Sequence, residues 1–390
     1  MNDSSDLRFL LREASNDQNR KRQEEAARLA RRHWNEVQHP LNGLGLLEDV
    51  IVQIASLTQN ADIFLDKKAV VIFCADNGVT KEGVTQTDSS VTGIVATSIA
   101  QGRSPVCHMA AACGIDVIPV DMGMKDFPGE RGVLDRRIAN GTNDILDGPA
   151  MSYKDAINAI STGIVLAGEL KRQGYQLLGA GEMGIGNTTT ASACASVLLG
   201  QDPAEVTGKG AGLSDQGLEH KIEVIREAIV RNDLSWKESP KNESYDIDLN
   251  HEANDVRTKK PCSEDDSHIT EVLQRVGGFD ILGMCGLFLG GWVHQIPVLI
   301  DGFASSVAAL AAVRICPDCS VAVLASHLSS EPAAKLVLRA LGKEPLITAG
   351  LHLGEGTGAV LAMPMLDMAL AVYRDSDTFE EGGVKAYQPL

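Results

Sequence analysis

Short, unbroken apolar runs recur along the chain at wide intervals. AVVIFCAD (69–76), IDVIPVD (115–121), YQLLGAG (175–181), IPVLIDG (296–302) and SVAVLASH (320–327) show little polar alternation. A strand covered on both faces reads this way, because neither side of it meets water. Between the runs lie stretches rich in Ala and Leu at helical spacing: 91–112, 154–173, 188–199, 279–293, 303–315 and 331–341. Their alternation predicts an α/β protein with a largely parallel sheet covered by helices. Ahead of the first run, 18–36 predicts a surface helix, Pro40, Asn42, Gly43 and Gly45 a turn, and Leu46 onward a second helix.

Each apolar run ends in polar groups: Asp76-Asn77-Gly78, Asp121, Gly181-Glu182, Asp301-Gly302 and Ser326-His327. Parallel sheets bind ligands in the crevice outside the carboxyl ends of their strands, so these ends predict one pocket rich in carboxylates and small residues. Asp and Gly also end strands well, which accounts for any one of them but less easily for all. Residues 235–268 break the pattern. They are polar, charged and aperiodic, and read as a mobile surface loop or insertion. His251, Cys262 and His268 within it do not follow metal-site spacing.

Composition narrows the classes of function. A formal net charge of −17 over 390 residues disfavours duplex nucleic acid and anionic membranes as partners. A small anionic substrate stays open, since a few cations and helix N-termini override a distant field. The opening MNDSSDLRFLLREASNDQ has no apolar signal-peptide core, and no apolar run is long enough to span a bilayer. The expectation is a soluble cytoplasmic protein. Eight cysteines in so long a chain make no disulfide scaffold, and Cys74, Cys194 and Cys285 read as reduced core thiols. Cys316 and Cys319 form a lone C-x-x-C without further ligands or a thioredoxin-like setting, and read as a turn before a strand.

The densest chemistry lies in GAGEMGIGNTTT (179–190), which fits G-x-G-x-x-G and nearly fits G-x-x-x-x-G-K-[ST]. A dinucleotide site also needs an acidic residue about twenty residues on, at the end of the next strand. Here that distance reaches Gln201-Asp202-Pro203, which follows a helix. A triphosphate loop needs a lysine where Asn187 stands. What remains is a glycine loop opening a helix at Asn187-Thr188, whose N–H groups and hydroxyls suit one monoester phosphate beside the Glu182 carboxylate.

Two further glycine-rich stretches follow. In VTGKGAGLSDQGLEHKIEVIREAI (206–229), Ser214 and Asp215 open an amphipathic helix carrying Lys221, a cation within reach of a phosphate. In LHLGEGTGAVLAMPMLDMALAV (351–372), Glu355 sits between glycines before an apolar helix. It is either a helix-start carboxylate favoured by the dipole or, where a dry setting raises its pKa, a general base.

GEMGIGNTTT (181–190), RVGGFDI (275–281), IPVLIDGFASS (296–306), the S-H-x-S-x-E-P run from Ser326 to Pro332 and LGEGTGA (353–359) occur in that order. With HPLNGLGLLEDVIVQIA near the start, they resemble the nicotinate-nucleotide–dimethylbenzimidazole phosphoribosyltransferase family of cobalamin lower-ligand synthesis, over roughly residues 35–375. The resemblance implies a Rossmann-like parallel sheet domain at 66–345. A small helical domain would be built from both chain ends, 1–65 and 346–390, the latter bringing the catalytic loop, and the assembly would be a homodimer. It implies Glu355 as catalytic base and Glu182 as the carboxylate beside the ribose. Lys221 with Gly184, Gly186, Asn187 and Thr188 would grip the phosphate. Asp76, Thr85, Asp301, Ser326 and His327 complete the expected substrate contacts.

The implied reaction joins nicotinate mononucleotide to dimethylbenzimidazole, with inversion at the anomeric carbon, and requires neither a metal nor a redox cofactor. Transfer to a phenol, a purine or another benzimidazole, and mononucleotide binding without turnover, are the alternatives. Two features depart from the family: the long 235–268 insertion, and the 82–96 loop, which lacks the usual proline and carries Thr85 where serine is common.

Overall fold

A computed structural model of the chain describes residues 4–237 and 267–387. The chain begins with α1 (Ser4–Ala14), α2 (Asp17–Glu36), α3 (Leu46–Thr58), β1 (Lys68–Ala75), α4 (Ser90–Ala100), α5 (Pro105–Ala112), β2 (Asp116–Gly123) and β3 (Leu134–Asp135). It continues through α6 (Tyr153–Arg172), β4 (Leu177–Met183), α7 (Asn187–Leu199), α8 (Pro203–Val206) and α9 (Asp215–Arg231). After residue 266 come α10 (Ser267–Val276), α11 (Phe279–Val293), β5 (Val298–Ile300), α12 (Phe303–Ile315), β6 (Val323–Ala325), α13 (Ala334–Leu341) and α14 (Thr357–Asp375).

The strands form one parallel sheet in the order β3-β2-β1-β4-β5-β6. This is a doubly wound order whose direction switches between β1 and β4, and ligands of such sheets bind outside the carboxyl ends at that switch. Every residue of β1 is buried, as the unbroken apolar run requires. Its side chains alternate between two cores. Ala69, Val71, Phe73 and Ala75 join the layer built with α6, α7, α11 and α12, while Val70, Ile72 and Cys74 join the layer of α2, α3, α4, α5 and α14.

The two chain ends meet in that second layer. Trp34 and Tyr373 pack edge to face with ring centroids 5.0 Å apart, and His33 Nε2 lies 2.6 Å from the Tyr373 carbonyl oxygen. Because α14 shares its core with Val70 and Ile72, the turn before it is held directly over the sheet.

The elements differ from the sequence expectation in several places. The 91–112 stretch is two helices, because Gly102 turns left-handed (φ 71°) and Pro105 starts a new one. The first part of 320–327 belongs to a 3-10 turn, Pro317–Ala322, which carries Cys319 just before β6. The sequence expectation omits α1, although Leu7, Leu10, Leu11 and Ala14 stand at helical spacing, and the two-residue β3 has no sequence signal of its own. Of the expected insertion, residues 238–266 lie outside the described residues, and Ser267 and His268 already belong to α10. Cys74, Cys194 and Cys285 are buried, unbridged thiols whose pKa burial pushes upward. Among the described residues no helix is long and apolar enough to cross a membrane.

Candidate active site

Glu182 stands one residue before the end of β4, paired in register with Phe73 of β1, and so at the switch point. The turn that follows is tight. A Cβ at Gly184 would lie 2.3 Å from the Ala75 carbonyl oxygen, and Gly186 is left-handed (φ 92°) at the N-cap of α7. Asn187, where a triphosphate loop would carry lysine, donates from Nδ2 to Glu182 Oε2. The first residue of α7 therefore aims at a carboxylate. Lys221 supplies the cation from α9. It is 1% exposed and donates to Thr188 Oγ1 over 2.8 Å and to the Gly208 carbonyl over 3.1 Å. Burial lowers its pKa to about 8, against the opposing pull of Glu331.

Glu355 occupies a turn of three left-handed residues, Gly354 (φ 81°), Glu355 (φ 58°) and Gly356 (φ 83°). A non-glycine residue rarely adopts this conformation, and where one does the surroundings must enforce it. Its Oε2 is buried without a hydrogen-bond partner. Burial raises its pKa, the Ser104 hydroxyl and Val106 amide at the start of α5 oppose that, and Asp301 adds to it. Glu182 is pushed well above the usual carboxylate range by desolvation, then by the charges of Asp280, Asp301 and Glu355. Four carboxyl groups thus gather at the carboxyl end of the sheet around the glycine loop.

The other strand-end carboxylates make hydrogen bonds within the fold. Asp76 Oδ1 accepts from Thr92 Oγ1 at 2.6 Å and its Oδ2 from the Lys125 amide at 2.7 Å. Asp121 accepts from the Gly123 and Met124 amides and from Arg137. Asp301 accepts from the Gly356 and Gly358 amides. Ser326 and His327 are buried behind the Glu355 turn, where a Cβ at Gly358 would meet His327 Nδ1 at 1.9 Å. These contacts hold loops in place at the carboxyl end of the sheet.

Thr85 is half-buried and donates to the Thr87 carbonyl at 2.7 Å, within a loop tied to the Gly212 carbonyl through Gln86. That loop lines a cavity of about 1100 Å³, together with α4 and residues 125–130. Neither Glu182 nor Glu355 lines this cavity. The site is accordingly placed by the converging carboxylates and the glycine loop, since size alone does not bring chemistry.

Sequence reasoning passed over Asp280, which is fully buried, with its pKa raised by desolvation to about 7. Its Oδ2 has no partner and lies 2.9 Å from where a Gly184 Cβ would be. A signal existed: Asp280 is the lone charge in FDILGMCGLFLGGWV, an otherwise apolar helix. Among the described residues no three His, Cys, Asp or Glu side chains gather as a metal-binding group.

A family model described as a phosphoribosyltransferase (DBI_PRT) matches residues 20–247 and 246–384. The nicotinate-nucleotide–dimethylbenzimidazole phosphoribosyltransferase of Ruminiclostridium cellulolyticum is 41% identical over 366 residues, 94% of this chain and 96% of that one. The enzyme of the same name from Acetivibrio thermocellus is 41% identical over 93% of this chain and 94% of its own. Among solved structures, CobT from Thermus thermophilus superposes with a TM-score of 0.80 at 33% identity, covering 93% of this chain and 100% of that one. With the family's motifs placed around one crevice and its relatives matched over nearly their whole length, the chain belongs to the nicotinate-nucleotide–dimethylbenzimidazole phosphoribosyltransferase family.

Proposed function

We propose that this chain transfers the phosphoribosyl group of nicotinate mononucleotide to dimethylbenzimidazole, releasing nicotinate and α-ribazole phosphate. The observation that carries this is the Glu355 carboxylate, held on a left-handed turn with Oε2 unpartnered, beside Glu182 and the loop that opens α7. The phosphate sits on the 184–188 loop, with Lys221 as its cation. The glycosidic nitrogen of nicotinate mononucleotide is already cationic, so nicotinate leaves with the bonding pair and needs no acid. The unprotonated ring nitrogen of the azole attacks the anomeric carbon from the opposite face, which inverts it. The azole N–H proton passes to Glu355. Positive charge developing on the ribose faces Glu182. The pyridinium ring and the positive charge developing on the ribose, though not the substrate's net charge, ease the mutual repulsion of Glu182, Asp280, Asp301 and Glu355.

Incubating the protein with both substrates and following α-ribazole phosphate and nicotinate by chromatography with mass detection tests this directly. Absence of both products sinks the reading.

The assembly we favour is a homodimer. Leu361 and Met368 lie seven residues apart on α14 and are 40% and 63% exposed, an apolar stripe that a second copy would cover. Light scattering at micromolar concentration reads the mass, and a monomer rejects it. Buried, unbridged cysteines fit a reducing compartment, and we assign the protein to the cytoplasm.

A further inference from the structure

Resting on the reading of Glu355 as the base, we propose that Asp301 is its positioning residue: from the end of β5 it caps α14 and holds the left-handed turn that presents Glu355. The first amides of a helix have no acceptor within the helix. An N-cap side chain usually supplies one, but the N-cap of α14 is Gly356, which has none. Asp301 fills that role from another element. Its Oδ2 accepts from the Gly356 amide at 3.0 Å and its Oδ1 from the Gly358 amide at 2.7 Å. The Gly356 amide belongs to the peptide joining it to Glu355, so one carboxylate grips the residue next to the base.

The grip is itself anchored. The Asp301 amide donates to Ser305 Oγ at 3.1 Å, and Ser326 Oγ donates to the Asp301 carbonyl at 3.2 Å. His327, beside Asp301, closes the space behind Gly358. A negative charge at a helix N-terminus is favoured by the dipole, which suits a carboxylate better than its amide here. Asn at this position keeps one acceptor and turns an N–H₂ toward the other amide, so the two-point hold is lost while the volume is kept.

The test is a double-mutant cycle on the full-length protein with Asp301→Asn and Glu355→Gln, read by kcat, KM and amide hydrogen exchange. Asp301→Asn is expected to lower kcat about 10- to 100-fold, with KM for nicotinate mononucleotide changed less than about threefold, since misplacing a reacting group costs rate more than binding. The double variant should be no slower than Glu355→Gln alone, within about threefold, because Asp301 acts through Glu355. Exchange at residues 354–359 should rise and that at 184–190 stay unchanged. Losses that multiply in the double variant, or an Asp301→Asn enzyme with wild-type kcat, overturn the proposal. If the wild-type protein makes no product, or Glu355→Gln is fully active, the functional reading fails; exchange then decides alone, and unchanged protection at 354–359 overturns the positioning role. Should Asp301→Asn not fold, Ser305→Ala loosens the same anchor. It should lower kcat about threefold or more with KM kept, and an unaltered kcat counts against the proposal.

Discussion

Lys221 Nζ lies 2.8 Å from Thr188 Oγ1, which ties the middle of α9 to the first turn of α7 through one buried cation. On the proposed reading the same ammonium meets a phosphate seated on that turn. Lys221→Ala should weaken nicotinate mononucleotide binding and leave dimethylbenzimidazole binding almost unchanged. Titration calorimetry with each ligand separates the two, and equal losses for both would contradict the assignment.

The pH dependence of that binding has a definite sign. Burial lowers the Lys221 pKa from 10.5 to about 8, so the free protein holds the charged form below pH 8 and loses it above. Mononucleotide affinity should be nearly flat from about pH 7, above the phosphate's own second pKa of about 6, to about pH 8, and weaken above it by up to about tenfold per pH unit. Binding above that point takes up a proton, visible as a buffer-dependent enthalpy. For stability the sign is reversed. Between about 8 and 10.5 the unfolded chain binds the extra proton, so Lys221 makes the fold more stable as pH rises through this window. A Lys221→Met variant should lose both dependences.

On the proposed reading, Glu355 sets the acid limb of the rate profile. Its pKa is raised, chiefly by burial, and the base works only when ionised. Turnover should therefore fall as pH drops through a value above the ordinary glutamate range. Glu355→Gln should lower kcat about 10²–10⁴-fold, abolish that limb and preserve mononucleotide binding. Activity within a few-fold of wild type would remove Glu355 from its role.

Gly181 lies under the same turn. A Cβ there would stand 2.7 Å from the Gly356 nitrogen and 2.8 Å from its Cα, both backbone atoms that cannot swing away. Gly181→Ala should displace the turn, cost about 1–3 kcal/mol of stability and reduce kcat more than mononucleotide binding. Thermal unfolding and steady-state kinetics check the two effects. A fully active, equally stable variant would show that the turn is softer than its packing indicates.

The sheet was legible because strands buried on both faces leave unbroken apolar runs, as in β1, and the glycine stretches mark where backbone must approach backbone. The sequence also singles out Glu182 and Glu355, each a carboxylate lodged among glycines, and the structure brings the two together. The partners of the strand-end carboxylates were not all legible. Asp76 and Asp301 look alike in sequence to Asp121, which accepts from the near amides at 123 and 124, yet their own acceptors are filled by amides at 125 and 358, set by loop paths that leave no local pattern. Nor could spacing show that Asn187 turns to Glu182. The hydrogen bond across the turn replaces the lysine that its motif position suggested.

The last prediction concerns the acceptor base. The loop from Val84 to Val91 departs from the family pattern at Thr85, whose hydroxyl is spent on the Thr87 carbonyl. A hydroxyl so engaged offers an incoming base no donor, only its acceptor lone pairs and the methyl group. A flat azole then gains mainly from burial, about 25 cal/mol per Å² of apolar surface. One or two methyl contacts shift preference by only about 1–3 kcal/mol, so related benzimidazoles should all be accepted, with dimethylbenzimidazole best. Phenols should be poor, because they present no ring nitrogen to attack the anomeric carbon while Glu355 takes a proton from the other nitrogen. Competition among dimethylbenzimidazole, benzimidazole, adenine and p-cresol at equal concentration, read by product mass, measures this order. Dominance of the phenol product would overturn the benzimidazole assignment while leaving phosphoribosyl transfer in place.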